Sequence, residues 1–329
     1  MRSKRLRDWF NWLGFGLLAL ALVVACQRSP QAGGSADGAN CTVVEHELGT
    51  VCVPNEIQRL VTLDGPAFEH AIAVGLKPIA TVRAEYQKSL ESRLVDAQDI
   101  GTSGNPSLEK VIGIQPDFLL GLTLGSEDIY PQLSQIAPTV LLSFEHSGQW
   151  KSVFRQASAA LNQAAAAEAT MAAYDARTAD FRAQMGNRLE DLQVSVVRLY
   201  PDSINLYLKD SFAGTVLQDA GLKRPPAQDI GAAEAMGRFG NPIQTSISQE
   251  LLEQADGDVI FVWTGENTAE ATAMAQQRLE ALRQDPLWRQ LKAVQAGRIY
   301  PVPSYWIGSG PIAANAVLDD LFKYLMEPA

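Results

Sequence analysis

Arginines and large aromatic residues recur where β-prone runs of this chain end. Arg83 follows the run Lys77–Val82, with Tyr86 three residues on. Arg198 and Tyr200 close Val194–Tyr200, and Trp263 closes Val259–Trp263. Tyr305 and Trp306 follow Arg298–Val302, and Arg238 sits in the Gly- and Ala-rich stretch around Met236–Phe239. A guanidinium presents a planar fork of donors to carboxylate or hydroxamate oxygens, while Trp and Tyr offer flat apolar faces with a polar edge. This is the chemistry of recognition. Reaction chemistry is poorly provided for: there is no Gly-x-Ser-x-Gly elbow and no phosphate loop, and Gly308-Ser309-Gly310 lacks the elbow spacing. Three Cys and three His, without Cys-x-x-Cys or His-Glu-x-x-His, give little material for a metal site. Each candidate has a structural alternative. Arg83 and Arg198 could be solvated surface residues and Trp263 a core residue. Asp64 reads as a helix cap, and His70 and His146 as structural or exposed.

In an open α/β sheet, ligands sit outside the carboxyl ends of the strands, so the elements around these residues matter. Strand-like runs at Arg59–Leu63, Lys77–Val82, Phe118–Leu120 and Val140–Leu142 alternate with short helical segments. One of these helices, from Ser107, is preceded by Asn105-Pro106 and capped by Ser107. From Trp150 to Leu192 the chain is rich in Ala, Glu, Gln and Arg, has no Pro and only Gly186, and predicts some forty helical residues. Strand-like runs resume at Val194–Tyr200, Asn205–Leu208, Val259–Trp263 and Arg298–Val302, and a helix from Ile312 to Met326 ends the chain. The pattern predicts an α/β fold with parallel sheets, in two lobes joined by a helical spacer.

The 329 residues are globular in composition, with 47% hydrophobic and 19% charged residues. Lys and Arg number 27 against 37 Asp and Glu, a formal charge of −10, which argues against a general nucleic-acid binder. Residues 2–7 are basic, and Leu13 to Ala25 is an apolar run shorter than the roughly 20 residues of a membrane span. That is a signal-peptide pattern, and its end, Val23-Val24-Ala25-Cys26, resembles a bacterial lipobox. Cys26 is then the lipidated residue, and the Gly-, Ser- and Pro-rich residues after it read as a tether. Export implies an oxidising compartment, in which Cys41 and Cys52 are the remaining thiols. They flank a β-prone hairpin around Leu48-Gly49, so a disulfide is expected, with two free thiols as the alternative.

Several segments together resemble the solute-binding lipoproteins of bacterial ABC importers that carry ferric siderophores, haem and cobalamin. They are Glu47–Pro54 with Gln58–Leu63; Ile100-Gly-Thr with Pro106–Ile112 and Gln115–Asp117; Ile136–Val140; Gly221-Leu222 before Pro225; Ile247–Leu251; Ala255–Phe261; and Pro286–Trp288. The resemblance spans nearly all of residues 47–326. It implies a signal peptide at 1–25, a lipidated Cys and tether at 26–40, and lobes with central parallel sheets at 41–163 and 192–329. It also sharpens the helical spacer to a long rigid α-helix, the linker at 164–191. It also implies a monomeric binding protein with no enzymatic activity and no cofactor, periplasmic and held to the membrane by its lipid.

The implied ligand is an iron(III)–siderophore complex, which brings its own oxygen donors. The site would then be Arg83, Tyr86, Arg198, Tyr200, Arg238, Trp263, Tyr305 and Trp306. Cobalamin or haem is the alternative within the family; Tyr86, Tyr200 or Tyr305 could ligate haem, but the arginines lean toward an anionic chelate. The family docks on the arginines of an ABC permease and its ATPase complex through one acid per lobe, which maps to Glu109 and Glu250. Helix capping would also explain acids at those two positions.

Overall fold

The computed structural model describes residues 40–83, 90–94, 96–265 and 268–326. The expected signal peptide, Cys26 and most of the tether lie outside the described residues, as does Tyr86.

The described chain opens with an antiparallel hairpin, β1 (Cys41–His46) and β2 (Gly49–Pro54), closed by a Cys41–Cys52 disulfide with Cα atoms 5.5 Å apart. The hairpin docks on the first half of the fold through His46, whose ring meets Tyr130 edge-on at 5.4 Å.

The first sheet contains β3 (Leu60–Thr62), β4 (Ala80–Thr81) and β5 (Gln98–Asp99). A two-stranded ribbon, β6 (Gly101–Thr102) with β7 (Asn105–Pro106), then leads into a helix, and β8 (Phe118–Leu122) and β9 (Thr139–Leu142) complete the sheet. Its order is β5-β4-β3-β8-β9 and every pairing is parallel. The chain leaves β3 at the point where strand order reverses, which is where such sheets open a crevice. Asp64 organises this exit. Its Oδ1 accepts from Ala67 N at 2.8 Å, capping helix Gly65–Ala73, and its Oδ2 accepts from Leu122 N at 2.6 Å. Burial pushes its carboxyl up to about 6, against the opposing pull of those two N–H bonds.

The second sheet comprises β10 (Val194–Leu199), β11 (Ile204–Tyr207), β12 (Gln244–Ile247), β13 (Val259–Trp263) and β14 (Ile299–Pro301), in the order β12-β11-β10-β13-β14. The expected parallel character holds for β10, β13 and β14, whereas β11 runs antiparallel to both of its neighbours. The reason is local. Only four residues separate β10 from β11, too few for the crossover that a parallel pair requires.

Helix Ala164–Met185 lies between the halves. Its buried residues Ala167, Met171, Tyr174, Thr178, Phe181 and Met185 recur at alternating spacings of four and three, which keeps one stripe facing inward. The stripe packs on helix Trp150–Ala160 and on the C-terminal helix Pro311–Leu325. Trp150 stands at the junction, edge-on to Tyr174 at 5.4 Å and to Phe212 at 5.7 Å, with Nε1 donating to Thr215 Oγ1 at 3.0 Å. A continuous apolar core therefore runs from Phe118 and Leu120 of the first sheet to Val196 and Phe261 of the second. An interface of this kind opposes free hinge motion between the halves.

Candidate functional site

Strand alternation puts Arg198 of β10, Trp263 of β13 and Asn205 of β11 on one face, since they are in-register neighbours. Tyr200 lies just beyond the carboxyl end of β10. The Arg198 guanidinium carbon is 4.0 Å from the centre of the Tyr200 ring and 3.9 Å from that of Trp263. Arg198 Nη1 donates to Tyr207 Oη at 3.0 Å. Burial pushes the Tyr207 phenol up, and the neighbouring Arg198 charge opposes that shift. Tyr200 Oη donates to Gln244 Oε1 at 3.3 Å, and Gln244 Oε1 also accepts from Asn205 Nδ2 at 3.2 Å. Ser246 Oγ completes the network with a 2.8 Å bond to Asn205 Oδ1. The result is a half-buried cation close to two rings and hydrogen-bonded to a phenol, its position set before any ligand arrives.

A second feature lies between the halves. A cavity of about 260 Å³ is walled by Gly65, Pro66, Glu69 and Leu90 from the first half and by residues of the segment 304–316 from the second. Tyr305 lines it, and its phenol donates to Asp320 Oδ2 at 2.9 Å. Burial raises the Tyr305 phenol, and Asp320 raises it further. Glu69 also lines the cavity. It is buried, and its Oε1 accepts from Ala313 N at 2.8 Å. Next to it His70 is fully buried, with Nε2 2.8 Å from Ser309 O. Burial pushes Glu69 up to about 7 and His70 down to about 4.

Trp306 requires a correction. It is 0% exposed, stacks on Phe261 at 4.3 Å, and its Nε1 donates to Asp320 Oδ2 at 2.8 Å. The glycines after it suggest an open loop, but the indole is packed into the core and cannot face a ligand. Trp263 is also largely core, at 2% exposure, and serves as the platform for Arg198.

Other candidates stand apart from this cluster. Arg83 Nη2 donates to Leu94 O at 2.8 Å and Ala97 O at 2.7 Å, so it braces the chain entering β5. Arg238 belongs to the exposed helix Ala232–Phe239, where it pairs with Glu234 at 2.8 Å and lies over the Phe239 ring. Glu109 and Glu250 are both exposed. Glu109 sits in the first turn of helix Leu108–Ile114, capped by Ser107 Oγ accepting from Lys110 N at 3.3 Å. Glu250 opens a 3₁₀ segment, Gln249–Ala255, where Ser248 occupies the cap position without a side-chain capping bond. Capping by the hydroxyl therefore holds at Ser107 and not at Ser248. Glu69 is the residue that sequence reasoning missed. Its signal was a lone acid beside His70 in the stretch Ala67-Phe68-Glu69-His70-Ala71-Ile72, whose other residues are apolar.

A family model described as periplasmic binding protein matches residues 60–305. The probable siderophore-binding lipoprotein YfiY of Bacillus subtilis (strain 168) is 30% identical over 321 residues, covering 94% of this chain and 96% of that protein. The achromobactin-binding periplasmic protein of Dickeya dadantii (strain 3937) is 26% identical, over 81% of this chain and 86% of its own length. Among solved structures, Staphylococcus aureus SirA complexed with staphyloferrin B superposes with a TM-score of 0.75 at 26% identity, covering 86% of this chain and 98% of SirA.

Proposed function

Because the chain belongs to the periplasmic binding protein family, we propose that it captures a ferric siderophore between its two halves and delivers it to an ABC importer. The observation that carries this reading is the Arg198 guanidinium held between Tyr200 and Trp263 at the carboxyl end of β10. A planar, permanently charged fork suits the oxygens of an anionic chelate, and its fixed orientation lowers the entropic cost of binding. Iron is cargo in this reading, and its donors belong to the chelator. The relatives support the ligand class: a probable siderophore-binding lipoprotein, an achromobactin-binding protein and a staphyloferrin B complex.

The same reading makes the protein a lipoprotein anchored through Cys26 and facing the periplasm. Glu109 and Glu250 then meet arginines of the permease. Both acids are exposed, one on each half, as such a contact requires.

The deciding experiment is a fluorescence titration against a panel: ferric dicitrate, ferric staphyloferrin B, a ferric triscatecholate, a ferric hydroxamate, haem and cobalamin. Trp263, stacked on Arg198, is the reporter. Submicromolar quenching by one ferric chelate class supports the proposal. Response to haem or cobalamin alone would replace it with the other ligand class of the family.

A further inference from the structure

Glu69 is held from two sides. Its helix, Gly65–Ala73, belongs to the first half, and its carboxylate accepts the backbone N–H groups of Ile312 and Ala313 in the first turn of the C-terminal helix. The sequence permits this approach because residue 310 is glycine. A Cβ there would lie 2.7 Å from the Glu69 Cδ and Oε1. The Gly308-Ser309-Gly310 motif, unsuited to nucleophilic chemistry, thus lets a carboxylate of one half cap a helix of the other.

That carboxylate is also a wall of the cavity between the halves. The rest of the described lining is aliphatic, backbone or hydroxyl: Ser304, Ser309 and Tyr305 supply the side-chain hydroxyls, and no Lys or Arg is among the lining residues. Among the described residues, few titratable groups face Glu69 from the packed elements. On its own helix, His70 points its Nε2 at Ser309 O, and Asp64 is committed to Ala67 and Leu122. From the segment before the C-terminal helix comes Tyr305, bonded to Asp320. From helix Ala164–Met185, Arg177 is engaged with Asn315 Oδ1 at 2.6 Å and with Asp319 of the C-terminal helix. None of these hydrogen-bonds or ion-pairs with the Glu69 carboxylate.

We propose that this cavity is proton-coupled: an anionic arm of the ligand enters it together with one proton, which is taken up from solvent by the Glu69 carboxylate. The inference rests on the reading of the protein as a binder of anionic ferric chelates. Its physics is Coulombic. Two carboxylates cannot share a small, poorly hydrated space without one of them becoming neutral. Glu69 is the group disposed to do so. Burial, against the pull of the Ala313 and Ile312 N–H groups, already holds it at about 7, so the proton costs little near neutral pH. Once protonated, it keeps a carbonyl oxygen to accept from the helix N-terminus and gains an O–H to donate to the incoming oxygen anion. It is thus a specificity-determining residue. Below its midpoint the cavity accepts an anionic arm, and above it the cavity favours a neutral one.

The test compares wild type with Glu69→Gln, which keeps an acceptor for Ala313 but cannot ionise. Both are titrated with ferric dicitrate and ferric staphyloferrin B between pH 5.5 and 8.5. The ratio of the two dissociation constants cancels changes in the chelates themselves. The expected ratio, wild type over variant, is near one at pH 5.5 and rises to about tenfold or more at pH 8.5. A ratio that stays constant over the range overturns the coupling and leaves the chelate reading intact. Failure of both chelates to bind either protein at every pH overturns both. Should the variant not fold, calorimetry of wild type in two buffers of different ionisation enthalpy decides. Proton uptake approaching one per chelate at pH 8 supports the proposal, and none overturns it.

Discussion

The guanidinium carbon of Arg198 lies 3.9 Å from the ring centre of Trp263, its in-register neighbour on the adjacent parallel strand. The pairing follows from strand register alone, so any change to either residue alters the other's setting. Arg198→Lys keeps the charge but loses the planar stack and the fork. We expect it to weaken binding of the cognate ferric chelate at least tenfold, about 1.4 kcal/mol, in an equilibrium titration. Trp263→Phe, which keeps a ring under the cation, should cost less. Unchanged affinity in Arg198→Lys would move the ligand away from β10.

Glu109 and Glu250 are exposed and lie on different halves. Reversing both to Lys should abolish chelate uptake by cells while leaving the dissociation constant within about twofold, since neither touches the cavity or the Arg198 cluster. Uptake at the wild-type rate in the double variant would refute docking through these residues.

Asp320 Oδ2 accepts both the Trp306 indole N–H and the Tyr305 hydroxyl. Asp320→Ala strands two donors, one of them fully buried. A loss of about 3 kcal/mol is expected in urea unfolding, against a smaller loss for Tyr305→Phe. Equal losses would mean that the indole finds another acceptor.

His70 is buried neutral, held near 4 rather than its ordinary 6.5 by burial, with its bond to Ser309 O opposing the shift. The folded state then holds fewer protons than the unfolded state between those values. Its contribution to stability is therefore present above about 6.5 and is lost as pH falls toward 4. Asp64 and Glu69, both raised, work in the opposite sense: their contributions are lost as pH rises through about 6 and about 7. The His70 effect must therefore be read against His70→Gln, which retains a donor for Ser309. Urea unfolding should show wild type losing about 2 kcal/mol relative to the variant between pH 7.5 and pH 5. Parallel stability curves would show that His70 titrates alike in the folded and unfolded states.

Much of this architecture could be read from residue order. The alternation of strand and helix, the Pro-free stretch after Trp150 and the hairpin around Leu48-Gly49 each have a short-range cause. Even the antiparallel run of β11 had a local sign, because Tyr200 to Ser203 leaves no room for a crossover. At the site, strand ends pointed to Arg198, Tyr200 and Trp263, and folding brings these three together.

What escaped were contacts made between distant parts of the chain. Nothing near Trp306 announces that Asp320, fourteen residues on, will hold its indole in the core. Nothing near Glu69 announces a partner at Ala313, 244 residues away. A lone acid in an apolar helix signals that some partner exists but not where it lies. Arg83 and Arg238 show the converse. Type and position single both out, yet the carbonyls of Leu94 and Ala97 and the carboxylate of Glu234 occupy them.

The uninterrupted core through Trp150, Tyr174 and Phe212 has a mechanical consequence. A core shared by both halves resists any change in their separation, so the molecule would act as a stiff gauge between its two exposed faces. A receptor that grips both halves would feel the same span from an empty carrier as from a loaded one. Discrimination between the two would then rest on something other than span, such as the cargo itself or the rim that the cargo completes.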